Sequence, residues 1–191
     1  MKKAAVMILC AACLLCGCSR GSEEVSAIQS QYAAADSVRT EAEITCHLAG
    51  ESRSFTVQSI CADGSATTTV IAPEEIAGIS ATVSGDELLV TYDTAALAAG
   101  QMTVLSPANC VSYLMRAVAE GYVLEYGEET IDGMECLRVA FDTTAADEKK
   151  ILCTVWFQPP QQVPCYAEFS RDGSVILTIR TLSFEMSGKE D

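Results

Sequence analysis

Three Asp-Gly pairs, Asp63-Gly64, Asp132-Gly133 and Asp172-Gly173, punctuate runs of alternating or β-branched residues along this chain. Asp-Gly is a strong tight-turn signal, because a two-residue hairpin turn needs positive φ at its centre. The period of two begins at Val38, where Ala42, Ile44, Cys46 and Leu48 alternate with Glu41, Glu43, Thr45 and His47. One face of such a strand is apolar and the other wet. Further strands are expected at 54–60, 67–71, 79–83, 88–92, 122–126, 135–141, 151–157, 166–170 and 174–184. Pro73-Glu74-Glu75-Ile76 reads as one helical turn, with Pro at its first position. The chain is therefore an α+β protein dominated by a long antiparallel sheet.

Two segments break the period. Val25, Ile28, Tyr32 and Ala35 recur at helical spacing behind Glu23 and Glu24, which predicts a helix over 23–37. A second helix is framed by Ser106 as N-cap, Pro107 at the first position and Gly121 as the stop. Cys110, Val111, Leu114, Met115, Val118 and Ala119 share one face, opposite Asn109, Ser112, Arg116 and Glu120. That apolar face has two readings. It closes the core over the sheet, as amphipathic helices usually do, or Val111, Leu114, Met115 and Val118 form the lid of an apolar pocket.

The N-terminus carries an export signal. Lys2 and Lys3 precede twelve apolar residues, 4–15, that end in Leu15-Cys16-Gly17-Cys18. A span needs about 20 apolar residues, so the run is a signal peptide rather than an anchor. Leu15 at −3, Cys16 in between and Gly17 at −1 make Cys18 the one cysteine with lipobox spacing. Cys16 would have Leu15 at −1, and Cys13 lacks Leu at −3. The expectation is removal of 1–17, a diacylglyceryl group on Cys18, and residence on the outer face of a bacterial cytoplasmic membrane. Two acyl chains give stable anchoring. A lipidated tether at 18–23, one domain at 24–186 and a polar tail at 187–191 follow. Loss of the two lysines takes the formal charge from −14 to −16. Nucleic acid is excluded as a partner, because its phosphates are bound by Lys and Arg.

Cys10, Cys13 and Cys16 leave with the signal, so Cys46, Cys61, Cys110, Cys136, Cys153 and Cys165 remain beside Cys18. No C-x-x-C pair survives, which argues against a redox site or a zinc knuckle. Apolar neighbours suit cysteines used as small buried hydrophobes, while export permits disulfides. Cys136 and Cys153 lie symmetrically about a turn near Ala145 and are a candidate bridge. The inward set Leu137, Val139 and Phe141 would, however, turn Cys136 outward beside Arg138.

Catalytic and metal chemistry is not evident. His47, the sole histidine, falls on the wet face of its strand, without the nucleophile and carboxylate that a triad requires. G-x-S-x-G, phosphate-loop and H-E-x-x-H motifs are absent. The carboxylate pairs Glu74-Glu75, Glu128-Glu129 and Asp147-Glu148 fall where solvated acids are ordinary, rather than at the defined separation of a glycosidase. No catalytic residue, cofactor or metal site is expected. Trp156 precedes the stiff Pro159-Pro160 segment, so these three form either a partner-contact rim or, for Trp156, part of the core.

The order of elements resembles the LolA/LolB lipoprotein-carrier superfamily, in particular GerS-like germination lipoproteins of spore-forming Firmicutes. An N-terminal helix, hairpins, an amphipathic helix past mid-chain and a closing hairpin through Pro164-Cys165-Tyr166, Asp172-Gly173 and Leu182-Ser183-Phe184 carry that resemblance. It spans about 23–185. The resemblance implies a strongly curved, half-open barrel with both helices on its concave side. It also implies a non-catalytic binding module of the envelope or spore, acting on a protein partner or, alternatively, holding an acyl chain between sheet and helices.

Overall fold

The computed structural model describes residues 17–48, 50–101, 105–143 and 151–188. Helix α1 (Gly17–Ala33) leads into β1 (Ala35–Leu48), β2 (Glu51–Ala62) and β3 (Ser65–Ala72). A 3₁₀ turn (Glu74–Ile76) precedes β4 (Ser80–Ser84), β5 (Glu87–Tyr92) and β6 (Ala95–Gln101). Helix α2 (Cys110–Glu120) is followed by β7 (Tyr122–Ile131), β8 (Met134–Asp142), β9 (Leu152–Gln158), β10 (Val163–Arg171) and β11 (Ser174–Gly188). These strands form one antiparallel sheet of order β6-β5-β4-β3-β2-β1-β11-β10-β9-β8-β7, with β6 and β7 at its edges among the described residues. The sheet is open, not closed into a barrel.

The turns obey their chemistry. Asp63 and Gly64 have φ of 53° and 71°, Asp132 and Gly133 of 50° and 80°, and Asp172 and Gly173 of 52° and 77°. Positive φ at both central residues matches the right-handed twist of the flanking strands.

Three boundaries differ from expectation. Helix α1 starts at Gly17, so residues 19–22 are helical rather than a tether, and it ends at Ala33 instead of 37. Residues 35–37 are captured by the sheet: Ala35 pairs with Gly188 and Ser37 with Ser187, whose hydroxyls lie 2.7 Å apart. Helix α2 starts at Cys110, capped by Asn109 rather than Ser106. Asn109 Oδ1 accepts from Ser106 N at 2.8 Å and Ser106 Oγ accepts from Ala108 N at 3.2 Å, which folds 106–109 into a separate turn. Strand β6 falls outside the expected set, because Ala95–Gln101 is almost all Ala and Gly and carries no alternation.

The core lies between the helices and the concave face of β1 and β8–β11. Val25, Ile28 and Tyr32 of α1 and Val111, Leu114 and Val118 of α2 pack on Ile44, Val139, Phe141, Val155, Phe157, Phe169 and Ile179. Gln29 of α1 donates to the carbonyls of Val118 (3.2 Å) and Gly121 (2.9 Å). These bonds satisfy acceptors that a helix C-terminus leaves unpaired and fix α2 against α1.

The convex face settles the cysteine question. Leu137, Val139 and Phe141 do point inward, Cys136 points outward, and yet Cys136 is only 3% exposed. Its Sγ touches Cys165 Sγ at 3.5 Å, while Cys165 donates to the carbonyl of Trp156. Cys153 lies on the opposite, concave face, in register with Phe141. A Cys136–Cys153 bridge is therefore corrected: successive side chains of a strand alternate faces, and the two thiols sit on different ones. The turn near Ala145 lies outside the described residues.

Phe169 is fully buried and meets Tyr113 edge-on, with ring centroids 5.6 Å apart. Phe169→Ala should cost about 3–5 kcal/mol, read as a fall in the urea midpoint.

Candidate ligand cavity

Beyond the core, the concave face continues over β2–β6, with α2 reaching as far as β2. Opposed residues of an antiparallel pair share a face. The register therefore sets Val38, Cys61, Ala66, Val83 and Leu88 in one row and Thr40, Ser59, Thr68, Ala81, Val90 and Leu97 in the next. Val83, Leu88 and Val90 are half-buried, and Leu97 is 66% exposed. On the convex side of the same wing Thr67 bonds Thr82 (3.0 Å) and Thr69 bonds Ser80 (2.8 Å), beside the exposed Ile60, Ile71 and Leu89.

An open cavity of about 950 Å³ lies between α2 and strands β1–β4, at the upper end of the range for small-molecule sites. Its apolar wall is built by Val38, Cys61, Ala66, Val83, Leu105 and Met115, and its helical side by Ser112, Arg116, Ala119 and Glu120. Exposed residues at the junction of α1 and β1 (Ala33, Asp36) and in the turns at 63–64 and 85–86 line its solvent-facing mouth. Thr68 holds the wing to the entry of α2, because its hydroxyl donates to the Ala108 carbonyl at 3.1 Å and meets Ser59 Oγ at 2.9 Å.

The site residues read from the sequence separate here. Val111, Leu114 and Val118 are buried in the core at 2%, 3% and 0% exposure, so they close it rather than line the cavity. Met115 alone of the four lines it. The face read as the solvent side of α2, with Asn109, Ser112, Arg116 and Glu120, is the one that borders the cavity. Helical periodicity identifies an amphipathic face, yet it cannot say that the polar side borders a hole.

Trp156 is 7% exposed on the convex face, with Tyr166 5.4 Å away and the Arg138 guanidinium 5.8 Å from its ring. It is a packed residue, whereas Pro159 and Pro160 are exposed in the following turn. Cys18 lies in the first turn of α1, while Leu15 and Cys16 fall outside the described residues. His47 bonds Ser52, Nδ1 to Oγ at 2.9 Å, on the outer face. Glu74, Glu75, Glu128 and Glu129 are exposed, and Asp147-Glu148 lies outside the described residues. Among the described residues no three His, Cys, Asp or Glu side chains group as metal ligands.

Arg116 stacks on Tyr113, 5.1 Å from the ring centroid, and the Tyr113 hydroxyl is tied to Thr143 at 2.9 Å. Burial pushes the Cys61 thiol, in the cavity wall, up to about 11, and Cys165 up to about 12. The Cys46, Cys110 and Cys153 thiols and the Tyr32 hydroxyl are raised by burial as well. Unfolded thiols ionise near 9.0, whereas the folded ones stay neutral to higher pH. The stability that this difference supplies is complete below pH 9 and is lost as pH rises through the folded values. Urea midpoints under reducing conditions should therefore be level to about pH 8 and fall steadily from pH 9 towards 12.

No family model matches the chain, and no curated protein does. Among solved structures it is similar to a DUF1329 family protein from Desulfovibrio piger. That match has a TM-score of 0.51 at 12% identity and covers 85% of this chain and 90% of the other. An uncharacterized conserved protein from Thermus thermophilus gives 0.51 at 7% identity, covering 90% of each chain. The LolA superfamily protein NE2245 from Nitrosomonas europaea aligns at 0.49 and 9% identity, covering 87% and 94%. At these identities the likeness to the first two is one of fold: an open antiparallel half-barrel with helices in its concavity.

Proposed function

We propose that this chain is a lipid-anchored, extracytoplasmic binding module that holds the acyl portion of an amphiphile in the cavity between α2 and the β2–β6 wing. The carrying observation is the cavity itself, open to solvent and walled on its sheet side by Val38, Cys61, Ala66 and Val83. Apolar surface of this kind gains about 25 cal/mol per Å² when it is covered, and a flexible acyl chain conforms to a curved floor. Diacylglyceryl-Cys18 at the start of α1 would place the module on the outer face of the membrane that supplies its ligand. A germination or spore protein partner, the first reading of the sequence, is the other candidate, and exposed Tyr122, Leu124 and Leu182 are the surface it would use.

Native mass spectrometry of a Cys18→Ser protein purified gently from bacteria tests this reading. A bound mass that denaturation releases as a fatty acid or phospholipid is expected. A clean apo-protein mass that persists after incubation with lipid vesicles would refute it. Cys61 is a built-in reporter. At pH 9 its alkylation by a small maleimide should be slow in the free protein and slower still with lipid bound, as followed by peptide mapping.

A further inference from the structure

We infer that the cavity selects an amphiphile with a zwitterionic head, one anionic group next to one amine, of the phosphoethanolamine type. This rests on the acyl-binding reading above and adds the chemistry of its mouth.

Among the described residues Arg116 is the only basic one lining the cavity, and four carboxylates line it with Arg116: Asp36, Asp63, Asp86 and Glu120. None of these five belongs to an ion pair within the described residues. The guanidinium is instead positioned by stacking on Tyr113, 5.1 Å from its ring, an arrangement that leaves its N–H fork free for a phosphate or carboxylate. Glu120 sits four residues further along the same helix, one turn away on the same face. Side chains so placed are about 5–6 Å apart at Cβ, which matches the short reach from a phosphate to the amine of a phosphoethanolamine head.

A purely anionic head would meet Arg116 but also the acids around it, and like charges brought close are unfavourable. A purely cationic head would meet the acids but face Arg116. A head carrying both charges, phosphate on Arg116 and amine towards Glu120 and the aspartates, satisfies both sets. The apolar wall of Val38, Ala66 and Val83 lies beneath, so the chain enters the cavity while the head stays at the mouth.

The test is displacement of an environment-sensitive fluorescent fatty acid from the purified full-length protein. Lysophosphatidylethanolamine and lysophosphatidylglycerol of the same chain length serve as competitors, because they differ only in the head. The zwitterionic lipid should displace the probe at about threefold to tenfold lower concentration, the range that one or two exposed charge contacts supply. Glu120→Gln should remove most of that preference. Arg116→Gln should weaken both phospholipids while leaving an uncharged monoacylglycerol unchanged. Equal potency, or a preference for the glycerol head, overturns the inference while the acyl-binding reading stands. A probe that does not bind at all overturns both.

Discussion

The pairing of β1 with β11 carries the architecture. It joins the first strand to the last, from Ala35 with Gly188 to Cys46 with Leu177, and divides the sheet into two meanders. Every other strand neighbour is sequential, so this one ladder converts two hairpin arrays into a single surface. It is also the pairing with the greatest loop-closure cost, and a fold that depends on it is expected to form more slowly than a helical one of equal size. A register shift at Glu41/Ala42 bends the ladder, and beside that irregularity the Thr40 hydroxyl donates to the Ser183 carbonyl at 2.7 Å.

Once joined, the two meanders are treated differently. The β7–β11 half receives both helices and becomes a dry core. The β2–β6 wing meets the core through Val57 of β2 and the entry of α2 through Thr68, and borders the cavity beyond. Sheets of this length normally hide both apolar surface and edges. Here β7 carries Glu125, Glu128 and Glu129 along its edge, while β6 is a bare run of Ala, Leu and Gly.

Cysteine serves packing on both sides of the sheet. Cys110 and Cys153 fill the concave core, whereas Cys136 and Cys165 lie under Trp156 and Arg138 on the convex side. The apolar character of the neighbouring residues announced burial, but alternation argued against it for Cys136. The resolution is a second layer of packing on the outer face, formed where the bulge between Pro164 and Tyr166 interrupts the register of β9 and β10.

Strand periodicity, the Asp-Gly turns, both helices and the inward face of β1 were legible in the chain, because each is set by residues within a few positions of one another. Met115, Arg116 and Glu120 were likewise legible as parts of an amphipathic helix. Long-range packing was needed to assign residues 35–37 to strand pairing, to make Ala95–Gln101 a strand, and to place Val111, Leu114 and Val118 in the core. The same holds for the cavity bordered by the polar side of α2. Those outcomes depend on which distant surface arrives opposite, and local pattern encodes the polarity of a face but not its partner.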